Sequence, residues 1–334
     1  MHPALSSRRN ILLGAAALVA AGGVFAWRTL APKPVHSRIV VADSAAVASA
    51  LFYVARDQGY FAAEGIALET IKTNSGKEAL ELVAKGQADL GMVAEAPFVR
   101  AIAAGVPARI VATVETSERN TGIIVPDQSP IRAPADLKGR RVGFCPGTAS
   151  EYFLNVFLAA NLLAESDLQA VPVTPKDAHQ ALAAGTVDAL SGWQEIRAHA
   201  DKALGQRTRI FYAQGTYLET WNLVALAGFL DANPQAVEGF IRALLKAQSF
   251  VAANQEAAIT IAAQAIGIDR ATIAEMWPDY AFDLSLDQAL IANLEGHWRM
   301  LTEQDASTPM PDFMAELAPN ALQAADASRV TYLR

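Results

Sequence analysis

A single cysteine, Cys145, stands among the 334 residues. That excludes an intramolecular disulfide framework and any zinc site built from cysteines. The five histidines form no His-x-x-x-His pair and no Glu-bridged set, so neither a metal nor any other cofactor is expected. No Gly-x-x-x-x-Gly-Lys-Ser/Thr loop is present, which argues against ATP binding by this chain. Basic residues are outnumbered, 27 Lys and Arg against 34 Asp and Glu, for a net charge of -7. Such a surface has little to set against a phosphate backbone, and nucleic acid is excluded as a partner. What is abundant is apolar. Hydrophobic residues make up 52% of the chain, much of it alanine, which favours helices and argues against disorder. At this length two compact units are expected rather than one core.

The one long apolar run is N-terminal. "SSRRNILLGAAALVAAGGVFAW" sets Arg8 and Arg9 before the run Ile11 to Trp27, the charged and apolar regions of an export signal. Ser7 to Leu12 resembles a twin-arginine signal, with Ile11 where phenylalanine is commoner. Val24, Phe25 and Ala26 permit cleavage after Ala26, and no cysteine follows that could carry a lipid. Kept uncleaved, the run would anchor the chain to the inner membrane. Residues 1–37 are therefore read as an export signal or anchor followed by a proline-stiffened spacer, "APKPVHS". In either form the body of the protein is expected in the periplasm.

From Arg38 the chain alternates in period. "RIVVAD", "IALETIK", "ADLGMVA" and "ARIVATVE" read as strands. "AAVASALFYVARDQGYF", "GKEALELVAKGQ" and "APFVRAIAAG" between them carry apolar residues at helical spacing. This alternation predicts a parallel sheet covered on both faces, a doubly wound α/β lobe.

A repeat then emerges at an offset of 99 residues. Lys77, Glu78, Ala79, Ala84, Gly86 and Asp89 match Lys176, Asp177, Ala178, Ala183, Gly185 and Asp188 without a gap. Each copy reads as a helix closed by a left-handed glycine, Gly86 or Gly185, and followed by a strand. Two lobes of similar topology follow from the repeat. Ligands of open α/β sheets sit beyond the carboxyl ends of the strands, so two such lobes set face to face enclose a cleft.

The segments "YVARDQGYFAAEGIALE", "ALELVAKGQADLGMVAEAPFVRAIAAGVPARIVATV", "DLKGRRVGFCPGTASEYFL" and "GTVDALSGWQE" resemble, in order and spacing, the solute-binding proteins of ABC importers. The branch is that of nitrate, sulfonate and taurine binders, which includes binders of thiamine precursors. The resemblance implies a type II periplasmic-binding-protein fold: two doubly wound lobes joined by a two-segment hinge, without catalysis. On that fold, residues 38–121 and 223–334 form lobe one and 122–222 lobe two. The C-terminal helices pack on lobe one, with Asn233 as N-cap, Pro234 at the first helical position, and Trp277 and Trp298 in packing roles. The implied partners are a small-molecule solute and the permease and ATPase subunits of the importer, with the binding protein itself a monomer. Membrane contact is then made only through an uncleaved N-terminus.

The cleft residues are expected at strand ends. The Ser75/Glu78 and Thr148/Glu151 boxes open helices, whose free N–H groups suit an oxyanion. Glu151 is expected to cap, while Thr148, Ala149 and Ser150 present the helix start to the ligand. Pro97 suits the first turn and makes Ala96 a poor N-cap, leaving donors unsatisfied. Glu95 beside it is expected to meet an amine or a hydrogen-bonding ring. By the offset of 99, Trp193, Gln194 and Glu195 face Ala94, Glu95 and Ala96, with Trp193 a flat wall for stacking. Trp221 is a similar candidate on the return crossing. Asp43 and Ser44 end the first strand, where the family commonly contacts its ligand.

These residues imply capture of a sulfonate, a taurine-like compound or a pyrimidine-like compound, with closure of the lobes on the bound solute. Two alternatives stand beside this reading. One is a membrane-anchored receptor subunit that senses rather than imports. The other is an enzyme of the pyrimidine-precursor type, with Cys145 as nucleophile and His179 or His199 as base. The cysteine-rich segment of those enzymes has no counterpart here.

Overall fold

The computed structural model describes residues 37–213, 215–303 and 308–333; the expected export signal or anchor lies outside them. Ten strands follow in chain order: β1 (Ser37–Asp43), β2 (Ile66–Lys72), β3 (Leu90–Ala94), β4 (Ala108–Ser117), β5 (Thr121–Pro126), β6 (Arg141–Phe144), β7 (Gln169–Pro172), β8 (Ala189–Trp193), β9 (Thr208–Phe211) and β10 (Glu219–Leu226). They form two five-stranded sheets of matching order, β2-β1-β3-β10-β4 and β7-β6-β8-β5-β9. β1 is apolar and β-branched and is buried from Ile39 to Asp43, as a strand covered on both faces must be.

The two sheets are alike in detail. Asp89 accepts the Val40 amide at 2.7 Å and Asp188 accepts the Arg141 amide at 2.9 Å, each fixing the strand to which it returns. Gly86 and Gly185 both take the left-handed conformation, φ +67° and +68°, just past their helices. At the ends of β3 and β8, Ala94 and Trp193 are N-caps of the next helices with near-identical backbone, φ/ψ of -76°/171° and -93°/171°.

The expectation of wholly parallel sheets is corrected at one strand per lobe. β10 lies antiparallel between β3 and β4, and β5 antiparallel between β8 and β9. The cause is the double crossing. A strand entering from the other lobe starts at the cleft, where its neighbours end: Thr121 pairs with Trp193, and Trp221 with Ala94. The expected lobe boundary at 222/223 falls inside β10, which belongs whole to the first sheet from Glu219. Residues 118–120, 212–213 and 215–218 lie between the two sheets.

The first sheet's core is the larger one, and the C-terminal helices, with Trp277 and Trp298, pack into it. Isolated bridges at Ile110, Thr113 and Thr116 also cover the outer edge of β4 with the C-terminal segment. Asn233 starts the Pro234–Ala253 helix, but its side chain donates to the Phe229 carbonyl of the preceding turn rather than capping. The Gln288–Leu301 helix reaches further than the sequence suggests. His297 stacks on Tyr152 of the second lobe at a 3.4 Å ring separation, and Met300 packs against that lobe's core.

Candidate functional site between the lobes

Residues at the carboxyl ends of five strands and on both crossings line one cavity. From the first lobe come Ser44, Ala46, Ala48, Ser75, Gly76, Lys77, Ala94 and Pro97; from the second, Thr148, Ala149 and Trp193; from the crossings, Asn120, Glu219 and Trp221. The lobes touch around it. Glu195 Oε1 accepts the Val47 amide at 2.7 Å, Lys77 Nζ donates to the Pro146 carbonyl at 3.3 Å, and Arg100 pairs with Glu151 at 2.6 Å. The space left is only about 30 Å³, a small volume for an organic solute. A larger groove of about 1020 Å³ lies between the Gln194–Leu204 helix and the Gly267–Asp279 segment, but none of the strand ends of the first sheet lines it.

Two helices open on the cavity. Ser75 accepts the Glu78 amide of the Gly76–Ala84 helix, and Thr148 accepts the Ser150 amide of the Ala149–Ala160 helix. Each cap takes one donor, which leaves first-turn amides and the positive helix end toward the cavity. Glu151 accepts the Gly147 amide at 2.8 Å and so does the capping work expected of it. Trp221 is held by its Nε1 donating to Ser49 Oγ at 2.8 Å, and its ring lies against Gly76, where a Cβ would meet it at 3.1 Å.

Of the residues singled out from sequence, Ser44, Ser75, Thr148, Ala149, Trp193 and Trp221 line this cavity. Ala96 lines a neighbouring pocket of about 190 Å³ that shares Thr148. It is not the N-cap; the helix begins at Glu95 with Ala94 as cap, which puts Pro97 at the third position. Four residues turn away. Asp43 is buried and takes Ser49, Tyr53 and the Ala45 amide, serving the first strand's own loop. Ser150 is fully buried, receiving the Cys145 amide and donating to the Ser191 carbonyl, so it ties strand ends together. Glu95 is fully buried, accepting from the Thr220 amide, from Asn293, and from the hydroxyl of Tyr217, whose ring packs in the second lobe's core. Its expected contact with a ligand amine does not fit that placement: the carboxylate satisfies its own helix start and the crossing strand instead. Glu195 does not line the cavity; it is the bridge to Val47.

Lys77, Asn120 and Glu219 line the cavity and were not anticipated. Lys77 falls within the repeat and reads there as a helix surface residue. Glu219 and Asn120 lie on the crossings, whose pairing joins residues 99 apart: Asn120 donates to Glu219 Oε1 at 2.9 Å and Thr121 to Oε2 at 2.6 Å. No local pattern carries that signal.

Acidic groups gather here. Burial pushes the Glu219 and Glu195 carboxyls up to about 7 and Glu95 to about 8, with Glu219 adding repulsion at Glu95. Glu115, on β4 beside Trp221, is raised well above the usual range by burial and by the charges of Glu219, Glu95 and Glu195. Among the described residues no group of three or more His, Cys, Asp or Glu could hold a metal ion. Cys145 is buried among Ile124, Ala178 and Leu182, and burial pushes its thiol up to about 12.

The family model described as NMT1/THI5 like matches residues 47–258, well over half of the chain. The chain belongs to the NMT1/THI5-like family. Among members and neighbours, it is similar to a putative aliphatic sulfonates-binding protein of Escherichia coli (strain K12), 29% identical over 202 residues. That match takes in 60% of this chain and 62% of the relative. It is also 30% identical over 146 residues to a 4-amino-5-hydroxymethyl-2-methylpyrimidine phosphate synthase of Uromyces fabae, over 43% of this chain and 42% of the relative. The relatives thus include a binding protein and an enzyme. In shape, the chain matches the alkanesulfonate-binding protein SsuA from Xanthomonas axonopodis pv. citri bound to MOPS, with a TM-score of 0.74 at 22% identity, over 86% of this chain and 100% of that one. The fold is the two-lobe, type II fold of periplasmic binding proteins, here with two mixed sheets.

Proposed function

We propose that this member of the NMT1/THI5-like family is the extracytoplasmic solute-binding component of an ABC importer. It takes a small polar organic solute, a sulfonate, a taurine-like or a pyrimidine-like compound, and passes it on unchanged. The observation that carries this reading is the cavity itself: repeat-related strand ends of both lobes, Ala94 and Trp193 among them, meet around one small space. A solute that touches both lobes only when they are together draws them together. The permease and ATPase would read that closed form from the periplasmic side.

Two features support a solute with an anionic end. The starts of the Gly76–Ala84 and Ala149–Ala160 helices converge on the cavity, and Lys77 stands beside them. The sulfonate-binding relative agrees with that chemistry. Cys145 supports the reading without catalysis, since a buried thiol held protonated is a poor nucleophile.

Native mass spectrometry of the protein exported to the periplasm and purified without denaturation tests the proposal. A bound small molecule, recovered unchanged and displaced by competing solute, is the expected result. A covalent adduct, or turnover of the released compound, would contradict it.

A further inference from the structure

Glu115, Glu195 and Glu219 form a buried acidic group behind the cavity wall, each no more than 6% exposed. They come from three places: β4, the start of the Gln194–Leu204 helix in the other lobe, and the return crossing. Glu115 feels the charges of Glu219 and Glu195, Glu219 that of Glu195, and Glu195 that of Asp43; Lys77, on the same cavity wall, gives its ammonium to the Pro146 carbonyl. Glu219 lines the cavity with its oxygens held by Asn120 and Thr121. Two carboxylate oxygens are left over. Glu195 Oε2 and Glu115 Oε1 are buried without a hydrogen-bond partner among the described residues. Buried carboxylates without a countercharge are costly, and a buried oxygen without a donor is a further cost. Closing the lobes brings Glu195 to this group, since its other oxygen holds Val47 across the cleft.

We propose that the solute carries a positively charged nitrogen, an ammonium or a protonated amidine-like group, that seats between Trp193 and Trp221 against Glu219 and supplies the charge these carboxylates lack. This rests on the solute-binding reading above and narrows it. The two indoles on the cavity wall suit the same group, because an aromatic face attracts a cation and excludes water from it. Glu195 acts from the other lobe: it makes closure itself depend on the cation, since without one the approach of the lobes adds a like charge to Glu115 and Glu219. A plain alkanesulfonate has only the anionic end and leaves this group uncompensated.

Isothermal titration with matched probes tests the inference: butane-1-sulfonate, 3-aminopropane-1-sulfonate and a protonated 5-aminomethylpyrimidine. An amine-bearing probe binds about tenfold or more tighter than butane-1-sulfonate. Glu219→Gln and Glu195→Gln each shrink that ratio several-fold, whatever change either makes to the affinity for butane-1-sulfonate; two variants in different lobes guard against one failing to fold, which their melting curves report. Butane-1-sulfonate binding as tightly as the amine-bearing probes, or a ratio unchanged in both variants, overturns the inference and leaves solute binding standing. Binding of none of the probes counts against the inference and the solute-binding reading together.

Discussion

The Glu195 carboxylate of the second lobe accepts the Val47 backbone amide of the first at 2.7 Å. Val47 opens a short 3-10 turn whose N-cap, Ala46, has no side chain to offer, so the missing cap arrives from the opposite lobe. One carboxylate thereby links closure of the cleft to satisfaction of a helix start.

Glu195→Ala removes that link. A hydrogen bond to a charged group contributes about 1.5–3 kcal/mol, so solute affinity falls by roughly tenfold to a hundredfold. The melting temperature of the solute-free protein changes little by comparison, because the lost contact lies between lobes rather than in either core. Titration calorimetry beside thermal melting checks both halves of this expectation.

Stability depends on pH in a stated direction. Glu95, Glu195 and Glu219 hold protons up to about 8, 7 and 7 in the folded protein, whereas the unfolded chain releases them near the usual glutamate value. The folded state therefore binds more protons across that window, and stability declines as pH rises through 7 to 8. Melting temperatures between pH 5.5 and 8.5 should fall toward the alkaline end. Glu95→Gln should flatten the slope, and a slope of opposite sign would contradict the assignment.

Gly147 and Gly185 separate two effects of glycine. Both are left-handed, at φ +75° and +68°, and a side chain at either costs about 1–2 kcal/mol. Only Gly147 faces the other lobe, where a Cβ would meet Lys77 Nζ at 3.2 Å; nothing stands near Gly185. Gly147→Ala and Gly185→Ala should then melt at similar temperatures, while Gly147→Ala alone weakens solute binding.

The repeat makes a prediction about structure as well as function. Asp89 and Asp188 each receive a backbone amide from the neighbouring strand, and Asp188 also pairs with Arg141. Asp89→Asn and Asp188→Asn should each destabilise the protein by about 1–2 kcal/mol, measured by chemical denaturation.

Much of the fold was legible because it rests on local regularities. β2 agrees with its sequence reading residue for residue, and the offset of 99 aligns Ala94 with Trp193 at the cleft. What stayed hidden is what depends on the crossings. The antiparallel insertion of β10 and β5 has no local period, and Glu219 and Asn120 meet only because two distant segments pass side by side. Glu95 misled for a related reason. A charged residue at a strand end looks like a ligand contact, yet Thr220, Tyr217 and Asn293 surround it from segments far along the chain.

The central claim, two lobes that close on a solute, is tested most directly by a distance between them. Spin labels at Leu162 on the second lobe and Gln58 on the first, both exposed, with Cys145 replaced by alanine, report it by pulsed electron resonance. The expected result is a broad distribution without solute that narrows and shifts when a binding solute is added. A distribution that is the same with and without bound solute would contradict the account.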